Sequence, residues 1–97
     1  MTPYELLFIL RPDLDEETTE GAITRVLTQI GDIGGTIEDG DVDRWGKKRL
    51  AYEVEDYHEG VYTVVKFKAP AGATVELERN LKLAPEVLRF LVVKIEV

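Results

Sequence analysis

Apolar and polar positions divide the chain into six segments with two different periods. Tyr4–Leu10 (YELLFIL) is short and almost continuously apolar, bounded by Pro3 and by Arg11-Pro12-Asp13, which predicts a buried strand. Ala22, Ile23, Val26, Leu27, Ile30 and Ile33 then recur at helical spacing, and at 100° per residue they fall within a sector of roughly 140°. Asp13 or Asp15 can cap this helix, and Asp15, Glu16, Glu17 and Glu20 put negative charge where its dipole favours it. Gly34-Gly35 ends it. Thr36–Val54 is polar, lacks helical period and reads as a long irregular strand, bulged or kinked at Gly40 or Gly46.

Glu55–Gly60 (EDYHEG) is predicted as a hairpin loop leading into Val61–Ala69 (VYTVVKFKA), the clearest strand of the chain. After the Pro70-Ala71-Gly72 turn, Thr74 is placed to cap a short helix with Leu77, Leu81 and Ala84 inward. Pro85 stops it, and Val87–Val97 (VLRFLVVKIEV) is the last strand. Strand, helix, strand, strand, helix, strand is the split βαβ order of the ferredoxin-like α+β sandwich, a four-stranded antiparallel sheet with two helices on one face. Period-two alternation assigns Leu6, Phe8, Leu10, Val65 and Phe67 to the helix-covered side. Leu7, Ile9, Tyr62 and Val64 then lie on the open side with Glu5 and Lys66, forming an exposed apolar patch suited to a partner protein. Tyr62 is its expected centre.

Length and composition narrow the class. Ninety-seven residues suit one domain, 1–97, with one modest core. The absence of cysteine removes disulfides, thiolate metal sites and thiol nucleophiles, and a single histidine leaves no ligand set. No phosphate-cradling glycine loop, HExxH or GxSxG pattern occurs. No catalytic residue, metal site, cofactor or small-molecule substrate is expected. No basic n-region precedes the first apolar run, and no run approaches the ~20 residues of a membrane span. The expected setting is soluble and cytoplasmic, away from membranes.

Charge supplies the one feature that points to a ligand. Twelve basic against nineteen acidic residues give −7, which argues against strong unaided binding to a polyanion. Yet Arg44, Lys47, Lys48 and Arg49 fall within six positions without an acid among them, flanked on both sides by acidic stretches. A local positive patch of this kind would direct phosphate to one place. Trp45 and Tyr52 add rings able to stack on exposed bases. The common RNA-recognition signature is not written here, because Val61 and Thr63 stand where its aromatic residues belong.

These residues carry a resemblance. Tyr4-Glu5, Arg11-Pro12-Asp13-Leu14, Trp45-Gly46-Lys47-Lys48-Arg49-Leu50-Ala51-Tyr52 and Glu59-Gly60-Val61-Tyr62 resemble bacterial ribosomal protein six of the small subunit. Leu77-Glu78-Arg79-Asn80-Leu81 and Val87–Lys94 continue the likeness nearly end to end. The resemblance implies a structural, non-enzymatic protein bound to the central domain of small-subunit ribosomal RNA. It implies joint binding with the small basic ribosomal protein eighteen. It places the family's basic second-strand motif on Lys47, Lys48 and Arg49, with Arg89 at a basic position of the last strand. Two other classes share the element order. A regulatory ligand-binding domain of the ACT type would usually carry a glycine-rich turn where Arg11-Pro12-Asp13-Leu14 stands. An acylphosphatase-like enzyme needs an arginine-bearing phosphate loop and an asparagine, whereas Asn80 lies in a predicted helix.

Overall fold

The computed structural model describes residues 1–96. It contains β1 (Thr2–Leu10), α1 (Glu16–Asp32), β2 (Val42–Val54), β3 (Tyr57–Ala69), α2 (Thr74–Leu83) and β4 (Val87–Lys94). The strands form an antiparallel sheet in the order β2-β3-β1-β4, the ferredoxin-like topology expected from the element order. The last predicted strand is therefore shorter than Val87–Val97, whose final residue lies outside the described residues.

Each element ends for a local reason. Asp15, not Asp13, caps α1: its carboxylate accepts the Thr18 N–H at 2.7 Å, and hydrogen bonding by the Thr18 side chain together with that N–H lowers its pKa. At the other end Gly34 takes φ 86°, donating to Gly31 at 3.0 Å while Gly35 donates to Ile30 at 2.9 Å. These paired bonds form a Schellman motif. Helix α2 corrects a prediction, because Ala73 rather than Thr74 stands at its N-cap and no side chain caps it. The Pro70–Gly72 turn closes through backbone bonds instead, Ala73 donating to Pro70 and Val75 to Gly72.

The stretch before β2 also differs from expectation. Thr36 pairs only as an isolated bridge with Lys68, and a turn closed by the Asp41 N–H on the Glu38 carbonyl separates it from β2. The predicted Glu55–Gly60 loop shrinks to Glu55-Asp56, both at positive φ (48° and 68°). That is a two-residue turn whose twist matches the flanking strands, so Tyr57–Gly60 are free to join β3.

The core lies between sheet and helices, with the predicted strand register. Leu6, Phe8, Leu10, Val65 and Phe67 meet Ala22, Ile23, Val26 and Ile30 of α1 and Leu77 and Leu81 of α2. Each large side chain withdrawn here from water contributes about 2 kcal/mol. Thr63 is fully buried on this side, and its hydroxyl finds no hydrogen-bond partner among the described residues. Thr63→Val keeps the shape and removes the orphaned hydroxyl. It is expected to stabilise by about 1 kcal/mol, read in a thermal melt as a rise of about 4–8 °C.

Candidate functional site

Strand β2 carries most of the candidate residues, and two irregularities decide where they point. The first is a bulge: Arg44 pairs with Thr63 and Gly46 with Tyr62, leaving Trp45 as the extra residue, with Gly46 at φ 77°. Gly46 is one of the two glycines at which the sequence predicts a bulge or kink. Trp45 is thereby laid against Tyr62, ring centroids 6.3 Å apart and planes 12° from parallel. Its indole N–H donates to Asp43 at 2.9 Å. The Lys48 ammonium sits 5.7 Å from the same ring, a cation–π arrangement.

The second irregularity is larger. Between Arg49, paired with Glu59, and Val54, paired with Tyr57, β2 takes five steps against two on β3. The excess residues fold over the open face of the sheet. Leu50, Ala51, Tyr52 and Val54 line one groove of about 250 Å³ together with Leu7 and Ile9 of β1 and Arg89 and Leu91 of β4. Since β2 and β4 are opposite edges of the sheet, they meet only because the hairpin curls across the strands between. The Arg89 guanidinium lies 5.0 Å from the Tyr52 ring centroid, closing the span.

The base of the hairpin is anchored. Arg11 donates to both oxygens of Asp13 at 3.1 Å, and the Tyr57 hydroxyl donates to the same carboxylate at 2.8 Å. Its bond from Arg11 holds the Asp13 carboxyl below the usual carboxylate range, and the carboxylate in turn raises the Tyr57 phenol. One anion thus ties the β1–α1 loop to the root of the arm.

The predicted site residues therefore separate into groups. Trp45 with Lys48 and Tyr52 with Arg89 form two cation–aromatic pairs on the open face, linked through Tyr62, which stacks on Trp45 and lines the groove with Tyr52 and Arg89. Arg44 is drawn away, its Nη1 within 2.7 Å of both Glu20 carboxylate oxygens on α1. Lys47 and Arg49 pair with Val61 and Glu59, so alternation aims them to the opposite side from Lys48. Both are exposed.

The predicted exposed patch needs correction. Leu7 and Tyr62 are half-buried, but Ile9 and Val64 are buried (7% and 9% exposed) although they lie on the open face. Their cover comes from the curled hairpin and from Trp45, which no period-two reading could supply. On this face the exposed apolar side chains are Leu91 (58%) and Val93 of β4, with Trp45 and Tyr52 (61%) of β2. Sequence reasoning missed Leu91, Val93 and Leu50. The alternation of β4 held the signal for the first two, once Phe90 and Val92 are assigned to the core side.

Among the described residues no three metal-ligating side chains come together, and no helix is long and apolar enough to cross a membrane.

Comparison with known proteins completes the site's context. Residues 3–94 match the family model described as ribosomal protein S6. The small ribosomal subunit protein bS6 of Moorella thermoacetica is 44% identical over 96 residues, covering 99% of this chain and 96% of that protein. Its counterpart in Clostridium novyi is 45% identical, covering 99% of both. The crystal structure of 30S ribosomal protein S6 from Thermotoga maritima is 33% identical and superposes with a TM-score of 0.90, over 97% of this chain and 87% of that one.

Proposed function

The chain belongs to the ribosomal protein S6 family, and from that premise we propose that it binds the central domain of small-subunit ribosomal RNA jointly with the small basic ribosomal protein eighteen. Family membership places it in the small subunit of the cytoplasmic ribosome, in a family of structural proteins rather than enzymes. The observation that supports the finer reading is the cluster of Trp45, Lys48, Tyr52 and Arg89 beside an apolar groove on an otherwise acidic protein. Two cations over two aromatic rings offer phosphate contact and stacking at one place. Lys47 and Arg49, exposed on the other side of the same strand, extend the positive surface around its edge. The groove, with Leu7, Ile9 and Tyr62 in its walls and Val64 alongside, receives the protein partner.

A charge of −7 makes the division of labour necessary, since the basic partner offsets repulsion that the free protein would meet at RNA. The free protein is therefore expected to bind a central-domain RNA fragment weakly, with affinity rising sharply once the partner is added. Lys47→Ala/Lys48→Ala/Arg49→Ala should weaken that joint complex and lower its log–log salt slope by roughly two, because a phosphate that is no longer neutralised keeps its counterion. Circular dichroism and melting should stay close to wild type, as exposed substitutions shift stability by about ±0.5 kcal/mol. Solo binding near the ~10⁻⁸ M of specific complexes, or an unchanged salt slope in the triple variant, would count against the reading.

A further inference from the structure

The open face is electrically graded along the strands. Asp43, Val64, Leu7 and Leu91 form one row across the sheet, and Lys66, Glu5 and Val93 form the row beyond it. Asp41 joins this outer row, its carbonyl accepting the Lys66 N–H at 2.9 Å. Glu5, Asp41 and Asp43 line a second depression of about 430 Å³, which shares Leu7 with the apolar groove. In the other direction from Leu7 comes the row of Tyr62, Ile9 and Arg89, with Trp45 against Tyr62, and then Lys48 opposite Gly60. Three carboxylates and Lys66 thus stand toward one end, with Asp43 level with Leu7, and two cations stand toward the other, with Arg89 level with Tyr62 and Lys48 one row beyond.

We infer that the acidic end is a docking site for a lysine- or arginine-bearing segment of a basic polypeptide, whose apolar side chain enters the groove beside Leu7, while RNA is confined to the Lys48–Arg89 end. The inference rests on the joint-binding reading above and adds to it which end takes which ligand. Charge complementarity names the occupant, since phosphate would be repelled where cationic side chains are attracted. Glu5 and Ile9 are four residues apart on β1, about 14 Å at strand rise. That exceeds the Debye length of ≈ 8 Å at physiological salt, so Glu5 acts on its ligand with little interference from the Arg89 row, while Asp43 stands one row nearer to it.

Glu5→Gln/Asp41→Asn/Asp43→Asn removes the three charges and keeps side-chain size, and an asparagine at position 43 still offers an acceptor to the Trp45 indole. Binding of the small basic ribosomal protein named above is measured by titration across a salt series. The triple variant is expected to lose about tenfold in affinity at low salt, with much of the salt dependence gone. Lys66→Gln removes a cation from the same end and is expected to do the opposite, tightening the complex. Unchanged affinity and salt slope in both variants would overturn the inference. So would a triple variant whose protein binding is unchanged while its RNA binding rises in line with removed repulsion, since RNA would then occupy that end. Leu7→Asp run in parallel separates the two readings. If it abolishes binding while the charge variants do nothing, the groove stands and the graded assignment falls; if it also binds normally, the joint-binding face itself is elsewhere.

Discussion

Leu7→Asp is expected to fold like the parent protein and to bind the basic partner at least a hundredfold more weakly. Leu7 is half-buried on the open face, flanked by Val64 of β3 and Leu91 of β4, and it borders both depressions. In the free protein water reaches the introduced carboxylate, so the cost to folding is small. In the complex the same carboxylate lies against the partner's apolar side chain, and burying an uncompensated charge costs about 3–5 kcal/mol. Leu7→Ala should weaken binding far less, because it trims the side chain without adding charge. Calorimetric titration of the three proteins against the partner, with melting curves as controls, checks the order. Wild-type affinity for Leu7→Asp would place the interface away from this face.

Gly60→Val is expected to cost about 3 kcal/mol of stability, a large part of what a domain this size holds. Gly60 is buried in β3 opposite Lys48, where the curled hairpin returns to the sheet. A Cβ at this position would stand 2.3 Å from Ile9 Cγ2 and 3.3 Å from the Leu10 carbonyl, with Leu50 Cδ2 at 3.6 Å. The Ile9 methyl branches directly from Cβ and cannot swing aside as a long side chain would. Relief therefore requires β1 or the hairpin to move, and moving either opens the groove. Denaturant unfolding should show the loss at unchanged slope, and partner binding should fall with it. A melt within a degree or two of wild type would mean the hairpin does not pack down on Gly60 in solution.

Much of the architecture was legible because local physics agreed with the global fold. The YELLFIL run bounded by Pro3 and Pro12, the six-residue apolar face of α1 and the Asp15 and Gly34-Gly35 caps each favour one element. Alternation then assigned Leu6, Phe8 and Leu10 to the core side, where they lie. The errors fell where two competing signals were both polar. EDYHEG reads as a loop by composition, yet only Glu55-Asp56 turn, because their left-handed backbone lets the next residues pair at once. Thr74 has the chemistry of a cap, but the Pro70–Gly72 turn already delivers the helix start one residue earlier.

The candidate site was legible as a set of residues and not as an arrangement. Composition and spacing singled out Trp45, Lys48 and Tyr52, since the four cations Arg44, Lys47, Lys48 and Arg49 without acids inside an acidic chain are visible in one dimension, and the family resemblance added Arg89. Their separation from Arg44 depends on Glu20, which is 24 residues away and reaches β2 only because α1 packs over the sheet. The meeting of Tyr52 with Arg89 depends on a hairpin that curls from one sheet edge toward the other. Sequence by itself thus determined the order of the elements, the glycine stop of α1 and the two faces of β1 and β3, because these follow from torsional preference and periodicity within a few residues. Tertiary structure alone decided which open-face side chains stay wet, which cations remain available, and how charge is graded across the sheet, because those depend on register and curvature among residues far apart along the chain.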